Sequence, residues 1–117
     1  MRRSEIMKNV PTVYKLRKMG WKVRVGHHRK YFRFCSFTGK KQELLLLKEQ
    51  HDNAHKEYYL SATGGVTTIA ITIPELNIDT NGVAECSDLE HYSRNRGLTK
   101  ALARALSSIQ KHLGFVD

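Results

Sequence analysis

One amphipathic pattern near the C-terminus constrains the fold most strongly. Aliphatic residues recur there every three or four positions and form one stripe on a helix, composed of Leu98, Leu102, Leu106, Ile109 and Leu113. Ser87 and Glu90 have the spacing of a capping box, and Gly114 is a fitting stop. We therefore predict a helix over residues 88–113, whose apolar stripe must be covered by another layer. Gly97 lies inside the pattern and predicts a kink or a separate short first helix.

Three segments favour β-structure and would supply that layer. Residues 21–25 alternate apolar and basic side chains, and the aromatic and basic run that follows extends this strand to residue 34. Residues 66–73 are β-branched and apolar and end at Pro74. A turn at residues 79–82 leads into a short strand at 82–86. The short connection predicts that the last two strands pair antiparallel.

The remaining segments are consistent with an α+β fold. We predict a short helix over residues 11–19 and a loosely periodic one over residues 43–59. Residues 1–10 read as a flexible basic arm and residues 11–117 as a single α+β domain, since 117 residues suffice for one core. The predicted fold is a small, mainly antiparallel sheet with the C-terminal amphipathic helix packed on one face.

Charge is distributed unevenly along the chain. Residues 1–41 contain thirteen lysines and arginines and one acid, whereas residues 42–91 contain two bases and nine acids. Residues 92–117 are basic again, with five bases and one acid. A basic face beside an acidic block is typical of proteins that bind a polyanion, and it indicates a class of partner rather than a reaction.

The run His27–Phe34 is the strongest candidate for function, because it interleaves bases with aromatic rings. Basic side chains neutralise phosphates and aromatic rings stack on unpaired bases. The alternative is that Phe32 and Phe34 are core side chains and the bases are merely solvated. A second basic surface lies on the C-terminal helix. The predicted nucleic-acid-binding residues are Lys22, Arg24, Arg29, Lys30, Arg33, Lys40, Lys41, Arg94, Arg96, Lys100 and Arg104.

Other functional classes find little support in the sequence. Phosphate-loop, dinucleotide and nucleophile-elbow motifs are absent, so we predict no enzyme, cofactor or catalytic residue. His51 and His55 have a metal-ligand spacing but lack the companions of a zinc motif, and a surface pair is the preferred interpretation. The apolar run Leu44–Leu47 is too short for a membrane span. Two distant cysteines and an N-terminus without a signal peptide predict a cytoplasmic protein, in the host cytoplasm if viral.

Part of the chain resembles a group of small uncharacterised bacteriophage proteins. Gly82–Asp88, Tyr92–Gly97 and Ala101–Leu106 are similar to their Gly-x-Ala-x-Cys strand, aromatic-Ser-Arg segment and Ala-Leu-rich helix. Leu16–Val25 and Gly64–Thr67 are similar to their first strand and their mid-chain Gly-Gly-x-Thr. The resemblance covers about half of the chain. It implies a viral origin and a host-directed or genome-associated role, and it implies no activity.

Two functions follow as expectations. The first is phosphate-dominated, weakly sequence-specific binding of DNA or RNA. The second is an inhibitor or host-takeover protein that docks on a host nuclease or polymerase. An inhibitor could use Glu43, Glu49, Asp52 and Glu57 to imitate phosphates or to orient docking. If neither holds, these acids are simply the solvated back of the domain.

Overall fold

A curled antiparallel sheet of five strands carries one long helix on one face, and the predicted α+β class is confirmed. The structure, a computed structural model, describes residues 12–112, so the predicted arm at 1–10 lies outside the described residues. In chain order the elements are α1 (Val13–Lys18), β1 (Lys22–Phe34), β2 (Lys41–Leu46), α2 (Lys48–Ala54), β3 (Tyr59–Leu60), β4 (Val66–Ile73), a 3-10 turn (Pro74–Leu76), β5 (Ile78–Glu85) and α3 (Arg94–His112).

The strand β1 organises the sheet, and the prediction of one strand from 21 to 34 is confirmed. Its first half, Lys22–His28, pairs with β4, and its second half, Arg29–Phe34, pairs with β2. β3 lies beside the second half, on the side that β4 occupies in the first, so the order is β2–β1–β4–β5 with β3 paired to β1. The predicted antiparallel pairing of the last two strands is also confirmed.

Two hydrophobic clusters lie on the same face of β1. Successive side chains of a strand point to opposite faces, so Val23 and Tyr31 share a face. The main cluster joins Val23 to β4, β5 and the stripe of α3, with Ile69, Ile71, Ala101, Leu102 and Ala105 at its centre. The second cluster consists of Tyr31, Leu46 and Tyr58, with Leu44 packed against it. The two residues of this face between the clusters are polar, His27 and Arg29.

The helix α3 approaches the sheet closely because glycines and alanines lie at the contact. A Cβ atom on Gly82 of β5 would overlap the carbonyl oxygen of Ala101, and one on Gly97 of α3 would overlap the hydroxyl of Thr67. Thr67 is fully buried beneath the helix. The Leu102 side chain is buried and Leu106 is half-buried in the main cluster, as the stripe predicts.

The prediction of a helix over residues 43–59 is wrong. Only Lys48–Ala54 is helical, and the flanking residues form β2 and β3. Leu44 and Leu46 alternate towards the second cluster, where Tyr31 covers them. A short apolar run fits a strand or a helix equally well by periodicity, and here the partner strand β1 decides.

Two predicted boundaries are also wrong. Residues 79–82 lie inside β5, and the chain reverses earlier, at Pro74–Leu76 and Asn77, whose φ is 51°. The helix predicted to begin at 88 begins at Arg94, where the Ser93 hydroxyl accepts a hydrogen bond from the Arg96 amide at 3.2 Å. The Ser87 hydroxyl instead accepts from the Leu89 amide in a local turn.

We predict that Gly82→Ala destabilises the fold by about 1–3 kcal/mol, because the added methyl group forces α3 away from the sheet. Alanine is otherwise the better residue within a strand. The control is Asn81→Ala, an exposed neighbour on the opposite face of β5, which should change stability by no more than about 0.5 kcal/mol. Urea unfolding of both variants measures this difference. Equal stability of the two variants would show that the close contact is not required.

Candidate nucleic-acid interface

A groove with a volume of about 680 Å³ opens between the two hydrophobic clusters. Its floor is the helix-covered face of β1, and its walls are α2 on one side and the segment that begins α3 on the other. This volume falls within the range of small-ligand sites. The groove is lined by Val25, His27, Arg29, Tyr31, Leu47, Lys48, Glu49, His51, Asp52, Leu60, Tyr92 and Arg94.

Arg29 is the cation on the floor of the groove. Its guanidinium lies over the ring of Tyr92, 4.4 Å from the ring centroid, and Nη2 donates to the carbonyl oxygen of Ser61 at 3.2 Å. Its Nε atom is buried and has no acceptor among the described residues. Arg29 forms no ion pair within residues 12–112, so no carboxylate neutralises its charge there. The side chain is thus held in place with its charge still available to an anion.

Arg94 brings a second cation to the groove from a distant part of the chain. It is the first residue of α3, a helix of 19 residues, and it is exposed. The amide groups at the start of a helix carry a partial positive charge, which adds to that of the Arg94 side chain. Within the described residues Arg94 has no carboxylate partner either. The fold therefore places two unneutralised arginines around one cavity.

A hydrogen-bond network links the groove to the helix–sheet contact. The Tyr92 hydroxyl lies 2.6 Å from Nδ1 of His27 and 2.9 Å from the hydroxyl of Thr67. Burial lowers the pKa of His27, and the nearby charges of Arg94 and Arg29 lower it further. His27 is therefore neutral at pH 7 and adds no positive charge of its own there. The network also fixes Tyr92, on which Arg29 rests.

The lowered pKa of His27 predicts a pH-dependent stability. When the pH falls below about 6.5, the ordinary pKa of histidine, His27 takes up a proton more readily in the unfolded chain than in the folded chain. The free energy of unfolding should therefore fall as the pH is lowered from 7.5 to 5.5. Denaturant unfolding at the two pH values should show a smaller loss in His27→Gln than in the wild type. An identical loss in both proteins would contradict this assignment.

The other predicted binding residues do not converge with Arg29 and Arg94. Lys22 and Arg24 are exposed on the opposite, uncovered face of the sheet, and Lys40 is exposed in the turn before β2. Arg96 and Lys100 are exposed on α3, and Arg104 donates to the carbonyl oxygen of Val83. The three remaining predicted residues, Lys30, Arg33 and Lys41, each form an ion pair with a carboxylate.

These ion pairs join the basic N-terminal block of the sequence to the acidic block. Lys30 lies 2.9 Å from both Glu43 and Asp88, and Lys41 lies 3.4 Å from Glu43. Arg33 pairs with Glu57 at 3.3 Å. Folding therefore neutralises part of each block against the other instead of building two opposed faces.

The four acids proposed for docking do not form one surface. Glu43 lies on the uncovered face of the sheet, in register with Phe32, whereas Glu49 and Asp52 line the groove on the other face. Glu57 is occupied by Arg33. No feature of the described residues therefore favours the inhibitor over the nucleic-acid binder.

Sequence reasoning missed Tyr92 and Lys48 as groove residues. Tyr92 could have been found from Ser93, a residue type that favours the start of a helix. Ser93 caps α3 and so places Tyr92 and Arg94 at its start. The segment 86–92 is held in this position by backbone hydrogen bonds, including Gly64 N–H to Glu90 O and Tyr92 N–H to Ala62 O. Such bonds between distant segments leave no pattern in the sequence.

The aromatic residues of β1 divide between the two interpretations of the sequence. Tyr31 is buried and its ring stacks on His51, with centroids 4.3 Å apart. Phe32 is half-buried, and Phe34 is 64% exposed on the uncovered face. The interpretation of Phe32 and Phe34 as core is therefore wrong for Phe34.

Residues 12–112 contain neither a metal-binding cluster nor a membrane-spanning helix. No group of three or more His, Cys, Asp or Glu side chains there is arranged to hold a metal ion, and both cysteines are free. His51 instead contacts Tyr31 and Asp52, and His55 packs against Tyr58. None of the helices in this range has the length and apolar character needed to cross a bilayer.

Comparison of the chain with models of protein families, with curated proteins and with solved structures found no significant match.

Proposed function

We propose that this protein binds nucleic acid, and that phosphate groups enter the groove between α2 and the start of α3. The observation that carries the proposal is the convergence of Arg29 and Arg94 in one cavity with no carboxylate partner in the described chain. Arginine suits a phosphate because its planar fork donates two parallel hydrogen bonds.

The charges around the groove indicate where a phosphate would lie. Glu49 and Asp52 line the wall formed by α2 and would repel an anion, although Lys48 lies beside them. The opposite wall carries Arg94 and the positive end of α3. We therefore expect a phosphate to sit between Arg29 and Arg94, on the α3 side of the groove.

Binding would extend beyond the groove through exposed cations. Arg96 and Lys100 border a separate depression on the β5 side of α3, which Glu85 and Glu90 also line, so cations lie on both sides of the first turns of this helix. The whole chain carries a formal net charge of +9, which attracts a polyanion at long range. Contacts of this kind reach phosphates and not base edges, so the proposed binding is weakly sequence-specific. It is a binding function without a reaction.

We predict a strong dependence of affinity on salt. If about five to eight phosphates are contacted, the logarithm of the association constant should fall with the logarithm of salt concentration with a slope of roughly −4 to −7. Arg94→Gln should weaken binding and make this slope less negative by about one unit, because one phosphate contact is lost. Fluorescence anisotropy with a labelled oligonucleotide, repeated over a salt series, measures both quantities.

The matched control is Lys15→Gln, which removes the same charge from an exposed position on α1, none of whose residues lines the groove. It should retain the wild-type slope. Arg94 is exposed, so its replacement should leave the melting temperature unchanged. A wild type that binds no nucleic acid at low salt, or an Arg94→Gln slope equal to that of the wild type, would argue against the proposal.

A further inference from the structure

Exposed aromatic rings lie together on the uncovered face of the sheet, at the end formed by β2, β1 and β3. Phe34 is 64% exposed and Tyr59 is 69% exposed, with the half-buried Phe32 between them. The ring of Phe32 lies 6.0 Å from that of Phe34 and 6.1 Å from that of Tyr59, measured between centroids. We call these three residues the aromatic platform.

The position of the platform follows from strand register. Phe32 and Phe34 alternate with Tyr31, which is buried on the helix-covered side, so their side chains point to the other side. Tyr59 of β3 is paired with Phe32 of β1, so the two side chains lie on the same face of the sheet. Large aromatic side chains are normally buried, and a cluster of them left in solvent marks a binding surface. The platform thus needs a partner that covers flat rings.

The charges beside the platform select an anionic partner. Lys41 Nζ lies 4.9 Å from the centroid of the Phe32 ring, and Lys40 is exposed next to it. Glu43, which is in register with Phe32, is already held by Lys30 and Lys41. A second copy of the chain docked on the same patch would bring lysines against lysines, which is unfavourable.

We propose that the aromatic platform stacks on the bases of an unpaired nucleic-acid strand, with Lys40 on its phosphates. This inference rests on the proposed function and names its substrate class as single-stranded nucleic acid. Aromatic side chains on an open sheet face bind single strands in this way because every base offers a flat π-surface. In a duplex those surfaces are covered by neighbouring base pairs, so the platform discriminates against double strands.

The surroundings also indicate the path of the strand. Towards β5 the uncovered face carries Asp79 and Glu85, which would repel phosphates. At the other end of β1 the uncovered face carries Lys41, and the adjoining β1–β2 turn carries the exposed Lys40 and the fully exposed ring of Phe37. We therefore expect the strand to run from the platform over this turn and away from the acids of β5.

The test compares three ligands of equal length: a single-stranded oligonucleotide, the same backbone with abasic sites, and a duplex. Phe34→Ala and Tyr59→Ala should each lower the affinity for the single strand about 5- to 150-fold, the range expected for loss of one stacked base. Affinities for the abasic strand and the duplex should change little. Phe34→Tyr keeps an aromatic ring and should restore the binding of the single strand.

Tyr14→Ala is the matched control. Tyr14 is 66% exposed on α1 with Lys18 Nζ 5.1 Å from its ring centroid, so it reproduces the exposure and the neighbouring lysine of the platform. Its replacement should not alter any of the three affinities. Phe34 and Tyr59 are exposed, so their replacement should not prevent folding. Circular dichroism of the variants checks this.

The possible failures are distinguishable. If Phe34→Ala and Tyr59→Ala bind the single strand as tightly as the wild type, while Arg94→Gln binds it more weakly, base stacking on the platform is contradicted. The proposed function is then unaffected. A dimer of the wild type that dissociates on Phe34→Ala would identify a second copy as the occupant and also overturns the platform. Absence of binding to all three ligands at low salt overturns the proposed function and the platform together.

Discussion

The contact between α3 and the sheet is the constraint on which the rest of the structure depends. Gly82 and Gly97 remove the two side chains that would hold the helix away, and Thr67 fills the space beneath Gly97. The same threonine is hydrogen-bonded to the Tyr92 hydroxyl, which is also hydrogen-bonded to His27. The ring of Tyr92 lies under the guanidinium of Arg29. The packing of the core and the position of the groove residues therefore depend on the same contact, because both require α3 to lie close to β4 and β5.

The strand β1 separates two chemically different surfaces. Its helix-covered face is apolar at both ends and polar between them, and this polar interval becomes the floor of the groove. Its uncovered face ends in Phe32 and Phe34, which no helix within residues 12–112 covers. A strand of 13 residues is long enough to serve both the main cluster and the second cluster. The two proposed contacts with nucleic acid, phosphate binding and base stacking, consequently lie on opposite sides of the same strand.

Folding redistributes the charge that is so uneven along the sequence. Lys30, Arg33 and Lys41 from the basic block find carboxylates in the acidic block, because β1 pairs with β2 and β3. Exposed ion pairs of this kind contribute little to stability, but they decide which cations remain available. Arg29 and Arg94 remain without such partners in the described chain, and they meet in the groove. The location of unneutralised charge, and not its total, distinguishes a candidate site from a solvated surface.

The sequence by itself determined the elements whose pattern is local. The stripe on α3, the β-branched run of β4 and the alternation in the first half of β1 each reflect burial along a single element, and periodicity reports such burial directly. The tertiary structure decided the rest. Leu44 and Leu46 became a strand because Tyr31 covers them, α3 began at Arg94 because the preceding segment bonds to residues 62–65, and Arg29 met Arg94 because the helix lies close to the sheet. These outcomes depend on register and on distances between segments remote in sequence, and no local pattern encodes either.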